Sequence, residues 1–163
     1  MSPRSEEVQR FSLRSRRDPD ATSNPPARSA TILLIEDNAA DVGLVREALE
    51  EHGVGGDLLV LTDGEKAIHY IALMDSSSAL CPDLVILDLN LPRRPGFDVL
   101  ERMKASSLCA ASPILILTSS DTPEERAEAT RLGADHYIRK PTRLDDFISL
   151  GTIFKGMIRA ASA

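Results

Sequence analysis

Two hydrophobic periods alternate along most of the chain. Thr31–Ile35 is a short apolar run, and Asn38-Ala-Ala-Asp41 after it reads as a helix start capped by Asn38. Val45, Ala48 and Leu49 follow at helical spacing as far as Gly53, a natural stop. Leu58–Leu61 predicts a second strand, and Asp63 opens a helix carrying Ala67, Ile71 and Met74. A loop over Ser76–Cys81 leads through Pro82 into a third strand, Leu84–Leu87, and then a helix over Phe97–Lys104. Pro113–Leu117 is the fourth strand. Thr122-Pro123-Glu124-Glu125 then combines a capping threonine, a proline at the first helical position and a glutamate three residues past the cap. That helix stops at Gly133. Ala134–Ile138 is a short fifth strand, and Thr142 is expected to cap a last helix running to about Arg159.

Five apolar strands alternating with helices predict an α/β fold whose parallel sheet is buried on both faces. Right-handed crossovers and one switch point place the functional crevice at the carboxyl ends of the strands. The folded domain is expected over residues 30–158, with 159–163 as a tail. Ahead of it, residues 1–30 hold six arginines against four acids and four prolines, with little apolar periodicity. Residues 1–29 therefore read as a disordered extension. They lack the apolar stretch of a secretion signal.

Composition narrows the function classes. The remainder of the chain carries 13 bases and 21 acids, and the whole has a net charge of −6. A phosphate-backbone binder needs a basic face, so nucleic acid is not an expected partner. No apolar run is long enough to cross a membrane. Cys81 and Cys109 lack Cys-x-x-Cys spacing, which argues against a disulfide or a zinc site and for a reduced, cytoplasmic setting. His52, His69 and His136 are too scattered to suggest a metal cluster or a triad.

The strand ends carry the chemistry. Glu36 and Asp37 follow the first strand, Asp88 the third, Thr118 the fourth and Lys140 the fifth. Each acid alone would pass for a helix cap or a turn former. Three carboxylates at one crevice repel one another unless a cation compensates. A donor set of oxygens without His or Cys selects a hard ion, Mg²⁺ before Zn²⁺. Mg²⁺ leaves positions open to phosphate oxygens, which points to phosphoryl chemistry with a carboxylate nucleophile. Asp88, on an inner strand, is the candidate. Lys140 would offer charge to one phosphoryl oxygen and Thr118 a hydroxyl to another.

Four stretches, Ile32–Asn38, Pro82–Pro92, Ile116–Ser119 and Tyr137–Pro141, resemble the receiver domain of two-component response regulators in the same order. The resemblance implies a doubly wound, five-stranded flavodoxin-like sheet of strand order 2-1-3-4-5. It implies that Asp88 accepts a phosphoryl group from the phosphohistidine of a sensor histidine kinase. It further implies Mg²⁺ ligation by Asp37, Asp88 and the backbone carbonyl of Asn90, with Glu36 acting through water. Thr118 and Lys140 match the pair that senses the phosphate, and Tyr137 matches the aromatic switch. Pro95 stands where the family more often has a small polar residue, which stiffens the loop after Asp88. The longer Met74–Pro82 stretch, Asp37–Asp41 and Asp88–Pro92 resemble the subgroup that partners phytochrome-type kinases.

Only about five residues follow the last predicted helix, far fewer than a helix-turn-helix output domain needs. Output is therefore expected by contact, as a conformational switch or as a relay to a histidine phosphotransfer protein. Because the protein would itself be the substrate, it reads as a switch and not an enzyme. A non-phosphorylated pseudo-receiver is the main rival, although it would be expected to lack Asp88, Thr118 or Lys140. A dehalogenase-type phosphatase would need an acid where Asn90 stands. In the last helix, Leu144, Phe147, Ile148, Gly151, Phe154 and Ile158 form a stripe that covers the sheet. Leu150, Ile153 and Met157 form a second stripe. It would serve either a wider core face or a homodimer interface, and the dimer is the expectation.

Overall fold

The computed structural model describes residues 8–14, 29–77 and 80–161. In chain order the elements are β1 (Gln9–Leu13), β2 (Ala30–Ile35), α1 (Ala39–Glu51), β3 (Gly56–Leu61), α2 (Gly64–Ser77) and β4 (Leu84–Leu87). There follow α3 (Gly96–Lys104), β5 (Ile114–Thr118), α4 (Pro123–Arg131), β6 (His136–Arg139), α5 (Leu144–Ser149) and α6 (Gly151–Ala161). The strands form one sheet in the order β1-β3-β2-β4-β5-β6. β2 to β6 are parallel and stand in the order the resemblance implies.

Apolar clusters cover both faces of this sheet. Val45, Ala48 and Leu49 of α1 pack with Phe147 and Phe154 against Ile32, Leu34, Ile86 and Leu115. On the opposite face Ala67, Ile71, Val99, Leu100 and Met103 pack against Leu33, Ile35, Leu87 and Ile116. Burial on both faces is why the strands read as unbroken apolar runs instead of alternating ones. Two helix starts form as expected. The Asn38 side chain accepts the Asp41 N–H at 3.0 Å, and the Thr122 hydroxyl accepts the Glu125 N–H at 3.2 Å.

The structure corrects the sequence reading in four places. First, residues 9–13 are a strand, so the expected disordered extension over 1–29 does not hold there; residues 1–7 and 15–28 lie outside the described residues. β1 pairs antiparallel with β3, Gln9 facing Val60 and Leu13 facing Gly56. Leu13 is buried in the core, the Arg46 guanidinium lies 5.1 Å from the Phe11 ring centre, and Arg10 pairs with Asp57. The strand covers an edge of β3 that would otherwise present unpaired backbone groups.

Second, Cys81 and Cys109 form a disulfide across a separation of 28 residues, their Cα atoms 5.3 Å apart. It ties the loop after α2 to the turn after α3, loops that the topology brings to the same edge of the sheet. The argument for a reduced compartment from unpaired cysteines therefore falls. Third, Thr142 is not the helix cap: α5 begins at Leu144 with Arg143 in the cap position and no side-chain cap hydrogen bond.

Fourth, the stripe read as a dimer face belongs to the core. Leu150 and Met157 are buried, Ile153 is half-buried against the same cluster, and Leu144 of the other stripe is 58% exposed. The predicted single helix divides into two, α5 and α6, but Leu150 between them keeps helical dihedrals, and Phe147, Leu150, Gly151, Phe154 and Met157 make one continuous buried face. Gly151 permits this packing, because a Cβ there would lie 2.3 Å from the Ala48 carbonyl oxygen of α1. The exposed apolar patch that motivated the homodimer is thus absent among these three residues.

Candidate functional site

The carboxyl edge of the sheet gathers the side chains singled out in the sequence. Glu36 leaves β2, Asp88 leaves β4, Thr118 ends β5 and Lys140 follows β6. Neighbouring parallel strands start and stop in register, so their first loop residues converge. The Lys140 N–H donates to the Thr118 carbonyl at 2.7 Å, and the Asp88 N–H to that of Ile35 at 3.0 Å, which fixes the two backbones at the site. α3 approaches closely from below: a Cβ at Gly96 would sit 2.5 Å from the Asp88 carbonyl oxygen, so only glycine fits.

Lys140 is the centre of charge. Its ammonium lies 2.8 Å from Glu36 Oε2, 2.8 Å from Asp41 Oδ2 and 2.9 Å from Asp88 Oδ2. Burial pulls the Lys140 ammonium down, but the hydrogen bonds it donates to Asp41, Glu36 and Asp88 outweigh this and raise the group above its ordinary range. Glu36 is 2% exposed, and burial raises its carboxyl to about 7 although Lys140 and the Asn38 N–H oppose the shift.

Carboxylate oxygens of Glu36, Asp37 and Asp88 all lie within 4.8 Å of one another. Glu36 and Asp88 are buried and Asp37 is exposed, so the group opens to solvent on one side. Hard oxygen donors with one exposed member suit a divalent cation that keeps water or a phosphate oxygen in its shell. The site holds four acids, counting Asp41, and one lysine, an excess of negative charge that a cation would relieve.

The hydroxyl side of the site is joined by Asn90. Its backbone N–H donates to Asp88 Oδ1 at 3.1 Å, while its side-chain amide reaches Ser120 Oγ at 3.1 Å and Thr118 Oγ1 at 3.4 Å. Thr118 is fully buried. Tyr137 is half-buried on the α4 face, its hydroxyl donating to the Ser120 carbonyl at 2.9 Å with the Arg126 guanidinium 4.6 Å from the ring centre. It packs with the α2–α3 cluster and not on the last helices.

All the predicted site residues except Tyr137 thus meet at one edge, and Tyr137 is linked to them through Ser120. The reading missed Asp41 and Ser120. Asp41 was visible only as the fifth residue of Asp37–Asp41, where it counts as a favourable acid in a first helical turn.

A family model described as "Response regulator receiver domain" matches residues 32–150. The chain is 35% identical over 115 residues to the probable methanogenesis regulatory protein FilR2 of Methanothrix harundinacea, covering 71% of this chain and 74% of that protein. It is 32% identical over 129 residues to the response regulator Rcp1 of Synechocystis, covering 78% and 86%. The manganese-bound crystal structure of Rcp1 superposes with a TM-score of 0.67, at 27% identity over 78% of this chain and 92% of that one. The phosphorylated cyanobacterial phytochrome response regulator RcpA superposes with a TM-score of 0.73, at 27% identity over 82% and 96%. From the motif order, the sheet and the acidic edge alike, the chain belongs to the response regulator receiver domain family.

Proposed function

We propose that this chain is a phosphorylation switch in which Asp88 accepts a phosphoryl group from a sensor histidine kinase. One observation carries the reading: the buried Asp88 carboxylate is held between the Lys140 ammonium at 2.9 Å and the Asn90 N–H at 3.1 Å, at the open edge of the sheet. An Asp88 oxygen attacks phosphorus, the P–N bond of a phosphohistidine breaks, and the imidazole leaves with that electron pair. The protein is itself the substrate, so this is a switch and not an enzyme.

The residues present fit Mg²⁺. Asp37, Asp88 and the Asn90 carbonyl would hold the ion, with Glu36 behind it, and bound there it would neutralise charge on the incoming phosphoryl group. Lys140 supplies a second positive charge, and the Thr118 hydroxyl accepts from the side-chain amide of Asn90, whose backbone N–H donates to Asp88. A dianion joining four acids and one lysine alters the balance of the site. That change would bias Thr118, Ser120 and Tyr137 toward a second arrangement that partners read by contact. A kinase donor charged by intracellular ATP would put the switch in the cytoplasm. Similarity to the phytochrome response regulator RcpA supports a phytochrome-type kinase as donor.

Intact-protein mass after incubation with acetyl phosphate and Mg²⁺, and separately with a phosphorylated phytochrome-type kinase, tests this reading. A gain of about 80 Da that requires Mg²⁺ and is lost in Asp88→Asn is expected. A gain that survives in Asp88→Asn, or none with either donor, overturns it.

A further inference from the structure

We propose that Asp41 is a positioning residue that anchors the Lys140 ammonium beside Asp88. An ammonium has three N–H donors. Here that of Lys140 donates to Asp41 and Asp88 at 2.8 and 2.9 Å and forms an ion pair with Glu36 at 2.8 Å. The three acceptors are not equivalent. Glu36 and Asp88 also belong with Asp37 to the group of oxygens placed to surround a cation, and Asp41 does not. A cation entering that group competes with Lys140 for Glu36 and Asp88, whereas the hold of Asp41 on the lysine is left intact.

Asp41 is built as an anchor. It sits in the first turn of α1, with its backbone N–H pinned by the Asn38 cap at 3.0 Å. Its side chain is 23% exposed, on the solvent side of Glu36 and Asp88, which are 2% and 4% exposed. Lys140 has a long stem with several freely rotating bonds, and ordering it without a fixed partner costs side-chain entropy. When Asp88 becomes an acyl phosphate its own oxygens lose their charge, and Lys140 must exchange Asp88 for a phosphoryl oxygen. Asp41 keeps the ammonium in range through that exchange. The kinetic consequence rests on the phosphoacceptor reading; the anchoring itself does not.

Two measurements test it. The first is the limiting rate of phosphorylation by acetyl phosphate at saturating Mg²⁺. Asp41→Asn is expected to lower it roughly three- to ten-fold, a loss of orientation at the reacting group. Asp41→Glu should recover most of the rate. In a Lys140→Met background Asp41→Asn should change nothing further. A rate unchanged in Asp41→Asn, or an equal loss in the Lys140→Met background, overturns the proposal.

The second measurement is NMR of lysine ammonium groups in the cation-free protein. Wild type should show a slowly exchanging Lys140 signal that Asp41→Asn removes, and a signal that persists in the variant overturns the proposal. Should wild type take up no phosphate, the phosphoacceptor reading fails separately, and the NMR measurement still decides the role of Asp41.

Discussion

Glu36 is held inside the protein at an electrostatic disadvantage, and replacing it by glutamine exposes the size of that disadvantage. Its carboxyl, ordinarily near 4.5, is raised to about 7, first by burial. The folded protein therefore binds this proton more tightly than the unfolded chain does. Stability attributable to Glu36 falls as pH rises from 4.5 to about 7, and the full cost is present above that. The span between those two values corresponds to at most about 3 kcal/mol. Glutamine offers one acceptor to the two donors, the Asn38 N–H and the Lys140 ammonium, that Glu36 now satisfies. The net gain is accordingly smaller, about 1–2 kcal/mol at about pH 8.

Urea unfolding of wild type and Glu36→Gln in EDTA, at about pH 4.5, 6 and 8, measures it. The variant should match wild type or fall slightly below it at the lowest pH and be the more stable at the highest. Adding Mg²⁺ should stabilise wild type and affect the variant less, since a bound cation would offset the same charge. A stability difference that does not change with pH, or a variant less stable at about pH 8, would refute the assignment of this cost to the buried carboxylate.

Three further outcomes follow from the packing. Leu13→Ala, which empties the buried end of β1, should cost about 2–3 kcal/mol by urea unfolding; no loss would mean the strand is not docked. Reducing the Cys81–Cys109 bridge, which closes a loop of 28 residues, should lower unfolding stability by roughly 3–4 kcal/mol, and alkylation mass should count two new thiols. The Asp75 carboxyl is lowered to about 2, first by the Ser106 hydroxyl and then by Arg102. Its contribution is present above an ordinary 3.8 and lost as pH falls toward 2, so Asp75→Asn should flatten the acid limb of the thermal midpoint in that window.

The parallel strands β2 to β6, the caps at Asn38 and Thr122, and the acids at the strand ends are legible along the chain. These are local signals: an apolar run records burial on both faces, and a cap pairs with a backbone group three residues away. Position at a strand's carboxyl end then suffices to bring Glu36, Asp88, Thr118 and Lys140 together, because parallel strands align their ends.

The rest depends on contacts between distant segments. β1 offers only Phe11 and Leu13 among charged neighbours, and it becomes a strand because the β3 edge supplies its partners. Cys81 and Cys109 meet because two crossover loops share an edge of the sheet. The stripe Leu150, Ile153 and Met157, which resembled an interface, is core because α5 and α6 pack against α1 and the sheet. Asp41 and Lys140, 99 residues apart, form an ion pair whose existence depends on the loop after β6 meeting the first turn of α1. In each case the energy comes from a contact distant in sequence, which no local pattern encodes.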